Sequence, residues 1–487
     1  VRVDVLVVGA GPAGLAAALS ARALGLEVAV IDRAAVPFEK VGETVPPGVW
    51  SLLRALGVAD AVERAGFARV GGIHVRLGEA TRLEPFDRRQ GLGLQLERAR
   101  FEALLEAAAR ARGVDVRRGV ALRAVLRAGD RVVGARLDAR EGTSDLEVGV
   151  LVDASGPARA LARRLELRVE RGPGTVGITG YVPSTSTRAR DETVYEALDD
   201  GWLWSVQRAD GLRNVTVGVD RDALRATRDP AAVHAAAWAQ ARVIPRGTRE
   251  EAATPLVVHD ATATWVERHA GPGWLLVGDA ASTVDPLTAH GVVKALASGL
   301  RAGALARALL GDASVAADAE AFVAWSDREE RARYAATTRA LFEEAGHRGA
   351  PFWEARRAAL AGQAAAPSDG LSRERMLDAL TRGDGGETPI RTSEDLTLEV
   401  RPSLRRGRIE RASRLVVGGW CADVPAELDE AALAAALGPP GSVRNATTLF
   451  EAYARAAGAE PHVGLAKQLT QALASLAERG GVAVERP

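Results

Sequence analysis

Val5-Leu6-Val7-Val8-Gly9-Ala10-Gly11-Pro12-Ala13-Gly14 opens the stretch that decides the fold, which runs on to Asp32. The four apolar residues predict a buried parallel strand. The glycine turn then leads into an Ala/Leu-rich helix from Leu15 to about Leu24, and Leu26 to Ile31 returns as a second strand ending at Asp32. This is the order of a βαβ nucleotide cradle. Gly9 permits the tight turn, Gly11 lets the backbone approach a pyrophosphate, and Gly14 allows the helix to pack closely on the strand. Pro12 and Ala13 begin the helix, whose free N–H groups face phosphate. Asp32, followed by Arg33, is placed to accept from ribose hydroxyls. The motif alone does not separate FAD from NAD(P).

Gly172-Pro173-Gly174-Thr175-Val176-Gly177 has similar glycine spacing but follows charged residues and precedes β-like ones, so it is expected to be a turn in a sheet. One cradle implies one tightly bound dinucleotide.

A chain of 487 residues is long enough for about three domains. Lys+Arg and Asp+Glu are equal at 63 each, so no net field draws it to nucleic acid or to an anionic membrane. Lysine occurs only at Lys40, Lys294 and Lys467. Cys421 is the single cysteine, which excludes an intrachain disulfide, a CxxC redox pair and a cysteine-built zinc site; no metal site is expected. The chain enters a strand at once and has no bilayer-length apolar run, so a soluble, cytoplasmic protein is expected.

The expected fold class is α/β: a Rossmann-like FAD-binding domain with an inserted antiparallel β-sheet substrate domain, a helical segment and a small C-terminal α(+β) module. The boundaries place the FAD-binding domain at 1–70, 95–165 and 265–312, and the substrate sheet at 71–94 and 166–264. Residues 313–363 are expected to be helical and 364–393, rich in Ala, Gly, Pro, Ser and Asp, to be a linker with one short helix at Ser372 to Leu380. Residues 394–487 then form a winged-helix-like or docking module. Its last helices lack a dense basic face, which argues against DNA.

FAD is favoured by a second strand end. Trp274-Leu275-Leu276-Val277 runs into Gly278-Asp279, followed by Asp285-Pro286-Leu287-Thr288-Ala289-His290-Gly291 and a new helix. A strand-end aspartate suits a ribityl hydroxyl, and a helix start near Gly291 suits the anionic edge of a reduced flavin ring.

These motifs, with Val41-Gly42-Glu43-Thr44, Arg98 with Phe101 and Asp153-Ala154-Ser155-Gly156, resemble the superfamily of FAD-dependent aromatic hydroxylases and flavin-dependent halogenases. Lys294-Ala295-Leu296 and Pro351-Phe352-Trp353 with Arg356-Arg357 resemble its tryptophan-halogenase-like branch. Within that branch they are most similar to the monooxygenases that mature tryptophylquinone cofactors. The resemblance implies that Asp32 holds the adenosine ribose, Arg98 lies near the pyrophosphate and Asp153 borders the AMP half. It also implies that Asp279 holds the ribityl chain, that Pro286 and the backbone of His290 and Gly291 lie beside the ring, and that Glu43 and Thr44 cap the opposite flank.

Both chemistries of the superfamily begin with reduced flavin and O2, giving a C4a-hydroperoxide. Halogenases then use a lysine some tens of residues after the Gly-Glu-Thr segment, and here none occurs between Lys40 and Lys294. The halogenase Trp-x-Trp-x-Ile-Pro element is only partly matched by Trp202-Leu203-Trp204-Ser205-Val206-Gln207, and the position where tryptophan halogenases carry a glutamate is Thr288. The expectation is therefore a monooxygenase that hydroxylates an electron-rich ring (indole, phenol or pyrrole, including a peptidyl or carrier-bound tryptophan). Electrons come from NAD(P)H or from a partner flavin reductase. Halogenation and prenyl reduction are the alternatives. The candidate catalytic residues are His290, Pro286, Trp202 and Trp204, with His74 and Tyr181 as further candidates on the substrate sheet.

Overall fold

The computed structural model describes residues 2–37, 44–86, 91–184, 193–208, 211–243, 254–286, 290–345, 350–361, 370–381, 385–405 and 407–484. Glu43 and Leu287 to Ala289 lie outside the described residues.

The expected cradle forms. Strand Arg2–Val8 is followed by helix Pro12–Ala23 and strand Val28–Asp32, and the first strand lies parallel between Val28–Asp32 and Gly142–Asp153. Asp115–Arg118 and Trp274–Leu276 extend the sheet in parallel on either side. Val5, Leu6, Val7, Val30 and Ile31 are buried from both faces, because the helices Pro12–Ala23 and Gly291–Leu309 pack together on one side and the hairpin strands Ala121–Ala128 and Arg131–Ala139 cover the other. Such two-sided burial explains why these strands read as continuous apolar runs. The strands end on one edge, where Gly9, Asp32, Asp153 and Gly278 fall together, the usual place for a ligand in an open parallel sheet.

The inserted sheet has seven strands. Val257–Asp260, Thr175–Pro183, Leu212–Asp220, Gly201–Gln207 and Thr193–Leu198 run antiparallel in that order. The expected all-antiparallel pattern is corrected at one seam: Gly72–Arg76 pairs parallel to Thr193–Leu198, because this segment arrives from another part of the chain and needs no hairpin. Helices Arg221–Thr227 and Pro230–Ala239 cover one face, burying Ile178, Leu203, Val215 and Val217. The Gly172 to Gly174 turn does lead into this sheet, as expected.

The described chain divides into two compact units, Val1–Ala324 with Thr337–Gln363 and Trp325–Ala336 with Ala364–Pro487. The cradle and the inserted sheet both belong to the first. Helix Ala313–Glu344 is continuous, but its stretch 325–336 clusters with the second unit. In that unit Glu329 accepts from the backbone N of Cys421 at 3.0 Å and lies 3.4 Å from Arg479. Within the segment 364–393, the short helix expected at Ser372 to Leu380 forms as Gly370–Thr381. It packs against Val463–Glu478, with Met376 fully buried and Leu377 and Leu380 partly buried in the same core. The remainder of this unit holds helices Glu430–Leu437, Ala446–Ala457 and Val463–Glu478, a long hairpin Leu396–Arg405/Arg408–Val417, and a small sheet of Val443–Asn445, Pro389–Thr392 and Val482–Val484. Among the described residues no helix is long and apolar enough to cross a membrane.

Candidate active site

At the cradle the glycines have separable reasons. Gly9 has φ +110°, and a Cβ there would lie 2.4 Å from the carbonyl oxygen of Ala154. A Cβ on Gly14 would lie 1.9 Å from the oxygen of Gly9. A Cβ on Gly11 would meet nothing within 4 Å, so its smallness serves the open space in front of the helix rather than the protein's own packing. Pro12 and Ala13 are buried in the first turn. Asp32 accepts from the backbone N of Ala10 and of Ala34, both at 2.8 Å, which fixes its carboxylate beside the turn. Each carboxylate oxygen retains capacity for a further donor. Arg118 lies 3.8 Å from the same group, and Arg33 is exposed.

Two residues expected near the cofactor make contacts within the protein. Asp153 is fully buried, and its oxygens accept from Ser155 N at 2.9 Å and Leu161 N at 2.7 Å. Burial pushes its carboxyl above the ordinary range, and the side chain braces the turn. Arg98 forms a pair at 2.8 Å with Glu102, one helical turn on, and both are almost wholly buried.

On the facing edge, Gly278 has φ +59° and donates its N–H to the Ser298 hydroxyl at 3.0 Å, while a Cβ there would press on Ala13 at 2.8 Å. Asp279 is partly exposed, with Lys294 Nζ 3.6 Å from it. Lys294 also donates to Ser282 through its hydroxyl, at 3.0 Å, and through its carbonyl, so this lysine is held on the cradle side. Asp285 is buried and Pro286 exposed. His290 is exposed and caps helix Gly291–Leu309 through its carbonyl, which accepts from Lys294 N at 2.8 Å. A Cβ on Gly291 would meet nothing within 4 Å.

Strand Thr44–Val45 pairs with Gly93–Gln95, placing Thr44 opposite Gln95. The Thr44 and Thr193 hydroxyls are 2.6 Å apart, so this flank of the cradle touches the inserted sheet. Gln95, which sequence reading missed, is buried with neither end of its amide hydrogen-bonded among the described residues.

Trp202 and Trp204 project from one face of the inserted sheet, together with Thr193, Tyr195, Asn214, Thr216, Thr179 and Tyr181, as the register requires. Trp202 is fully buried and lies over Gly218, where a Cβ would come within 2.0 Å of the indole. Trp204 is half-buried and 6.3 Å from the Tyr195 ring. Thr179 and Thr216 hydroxyls are 2.8 Å apart, and Thr216 donates to the Asn214 carboxamide oxygen at 2.9 Å. Helix Pro351–Ala361 closes one end. Trp353 donates its indole N–H to Leu198 O at 2.8 Å, and buried Arg356 donates to Thr175 at 2.6 Å and lies 3.6 Å from Asp220. His74 is on this sheet, as expected; it is opposite Val194, whereas Tyr195 is opposite Val75, so His74 is on the face away from Tyr195.

Sequence reading also missed Tyr195 and Asn214, which lie in the strand-like segments Thr193–Leu198 and Leu212–Asp220. Among the described residues no group of three or more His, Cys, Asp or Glu side chains is placed to hold a metal ion.

Residues 2–318 match the family described as FAD binding domain. The chain is 26% identical over 374 residues to a tryptophan 2-halogenase of Chondromyces crocatus, covering 73% of this chain and 70% of that protein. It is 26% identical over 314 residues to a 1H-pyrrole-2-carbonyl-[peptidyl-carrier protein] brominase of Pseudoalteromonas luteoviolacea, covering 61% of this chain and 76% of that protein. In structure it is similar to the flavin-dependent halogenase CmlS, with TM-score 0.81 at 22% identity over 99% of this chain and 96% of that one, a likeness of fold. The peptidyl tryptophan dihydroxylase QhpG is similar with TM-score 0.70 at 25% identity, over 99% and 100%.

Proposed function

The chain belongs to the FAD binding domain family and is an FAD-dependent oxidoreductase, and from that premise we propose that it functionalises an electron-rich aromatic ring held against the inserted sheet. Its residues fit FAD. The space in front of Gly11 is open, the Asp32 carboxylate is oriented beside it, and the Gln95 amide offers one donor and one acceptor with no protein partner among the described residues. Gly9 to Gly14 and Asp32 would hold the ADP half, Asp279 the ribityl chain, and Thr44, Gln95, Pro286 and Gly291 the ring. Reduced FAD with O2 supplies an electrophilic oxygen.

The protein's own part is positioning and exclusion of water. Trp202, Tyr195 and Thr216 make a dry floor, and half-buried Trp204 offers a flat aromatic surface to a ring. His290, at the start of the helix that faces the ring edge, remains a candidate for proton transfer.

Between the two products, the relatives weigh toward halogenation, which is the better supported reading: one acts on tryptophan, another on a carrier-bound pyrrole. One observation favours hydroxylation. Lys40 lies outside the described residues, and the one lysine of the first unit among those described, Lys294, is tied to Ser282 and Asp279 rather than free to pass a halogen on. The likeness to a peptidyl tryptophan dihydroxylase supports the same side. The names of these relatives also support a peptide- or carrier-bound substrate, and we read the module from residue 394 as the part that docks it. Electrons would come from NAD(P)H or from a flavin reductase.

Mass spectrometry of turnover decides. The enzyme is loaded with FAD and a reductase, then offered a tryptophan-containing peptide and pyrrole-2-carboxamide in bromide-containing and in halide-free buffer. Bromide-dependent mass gain establishes halogenation, and gain of oxygen in both buffers establishes hydroxylation. No modified arene in either buffer overturns the proposal.

A further inference from the structure

Three buried polar hydrogens on the exposed-ring face of the inserted sheet have no acceptor among the described residues: Tyr195 O–H, Trp202 Nε1–H and the Asn214 amide N–H. Tyr195 is 3% exposed, Trp202 1% and Asn214 1%. Leaving such a group unmatched is costly, so three on one face of one sheet mark a place built for something else to fill.

The register shows what they surround. Tyr195 is directly opposite Trp204, Trp202 precedes Trp204 by two residues on the same strand, and Asn214, opposite Val206, is diagonal to Trp204. Direct and diagonal neighbours on one face are about 5 to 8 Å apart. Trp204 thus has the three donor-bearing residues as its neighbours on this face, and it is the one half-buried residue in a strand whose other members are buried.

Orientation is fixed at each donor. The Asn214 oxygen is occupied by the Thr216 hydroxyl, itself 2.8 Å from Thr179, so the amide nitrogen is the free end. The indole of Trp202 lies flat over Gly218 and cannot turn without losing that contact. Burial, with the carboxylates of Asp285 and Glu344 nearby, pushes the Tyr195 phenol well above its ordinary 10.0, which keeps its proton in place. Those two carboxylates also disfavour an anion beside Tyr195.

We propose that the face around Trp204 is a specificity site for an arene that carries an uncharged carbonyl group, the ring lying on Trp204 and the carbonyl oxygen accepting from Tyr195 with Trp202 or Asn214. This rests on the aromatic-substrate reading above and names the substrate class within it. A ring without an acceptor leaves the donors unmatched, and a carboxylate meets like charge.

The test uses the full-length, FAD-loaded enzyme and measures binding by calorimetry, with indole-3-acetamide, 3-methylindole and indole-3-acetate as probes. The acetamide is expected to bind at least tenfold more tightly than either of the others. Tyr195→Phe is expected to weaken the acetamide about tenfold and leave 3-methylindole within twofold. Because that variant removes an unmatched hydroxyl, its melting temperature should not fall, which separates recognition from misfolding. Equal affinities for the three probes, an equal loss for acetamide and 3-methylindole in Tyr195→Phe, or no binding of the acetamide would overturn the proposal. Turnover keeps the two readings apart. Selective, Tyr195-dependent binding with no oxygen or halogen transferred to any arene leaves this site standing and removes the reaction. Equal binding and turnover of 3-methylindole and the acetamide do the reverse.

Discussion

The side-chain oxygens of Thr44 and Thr193 are 2.6 Å apart and buried, and they join the strand beside the nucleotide cradle to a strand of the inserted sheet 149 residues later. Neither residue carries charge or is reactive. Their contact nevertheless sets where this flank of the cradle meets the sheet face that holds Tyr195 and Trp204.

Replacing one hydroxyl leaves the other buried without a partner. Thr44→Val is expected to lower the unfolding free energy by about 1–3 kcal/mol, and adding Thr193→Val should cost less than a second such loss. Urea denaturation of the two single variants and the double variant measures the coupling.

Gly14 and Gly11 should respond oppositely to the same methyl group. Gly14→Ala drives a Cβ into the Gly9 carbonyl oxygen and is expected to destabilise the protein by about 3 kcal/mol or more. Gly11→Ala meets no protein atom and has an ordinary φ of −84°, so the apoprotein should keep its stability within about 0.5 kcal/mol while losing FAD. Melting temperature together with flavin absorbance after gel filtration separates the two effects.

Gln95→Leu removes two unmatched polar groups from a buried position. The apoprotein is expected to be as stable as the parent or more so, and FAD affinity to fall about tenfold, roughly 1.4 kcal/mol. Titration of the apoprotein with FAD, followed by flavin fluorescence, gives the affinity. Unchanged affinity would take Gln95 out of the cofactor's contacts.

Burial holds His234 and His259 below the ordinary 6.5, so both are neutral in the folded protein where the unfolded chain begins to protonate. The unfolded state then binds more protons, and stability present above about pH 6.5 is lost as pH falls through and below that value. Each should contribute a share of that loss as the pH falls from 7 toward 5. His234→Gln keeps the hydrogen bond to Val215 O, 3.1 Å in the parent, and should flatten the profile by its own share, read from urea unfolding at several pH values.

Much of the cofactor domain was legible because its signals are local. A four-residue apolar run, a glycine turn and an aspartate at the next strand end lie within 32 residues, and the Asp32 carboxylate is fixed by backbone groups of that same stretch. The same locality left two points undecided. Period-two alternation says that His74 and Val75 face opposite ways, not which way is toward the ligand, and the pairing of Val75 with Tyr195 put His74 on the far side. Ser372 to Leu380 reads as a short helix within a linker-like composition, but what it packs on is not local: Met376 gains its burial from Val463–Glu478, far along the chain.

By itself the sequence determined that one dinucleotide cradle is present, that its partner edge comes from Gly278-Asp279, and that no lysine stands between Lys40 and Lys294. These are matters of order and inventory, which folding does not alter. Only the tertiary structure decided that Asp153 braces its own turn, that Gln95 and Thr44 stand opposite each other, and that Tyr195, Trp202 and Asn214 are neighbours of Trp204 on one face. Whether a polar group is matched depends on which strands are brought side by side, and strand register is set by burial summed over the whole sheet rather than by any one stretch of chain.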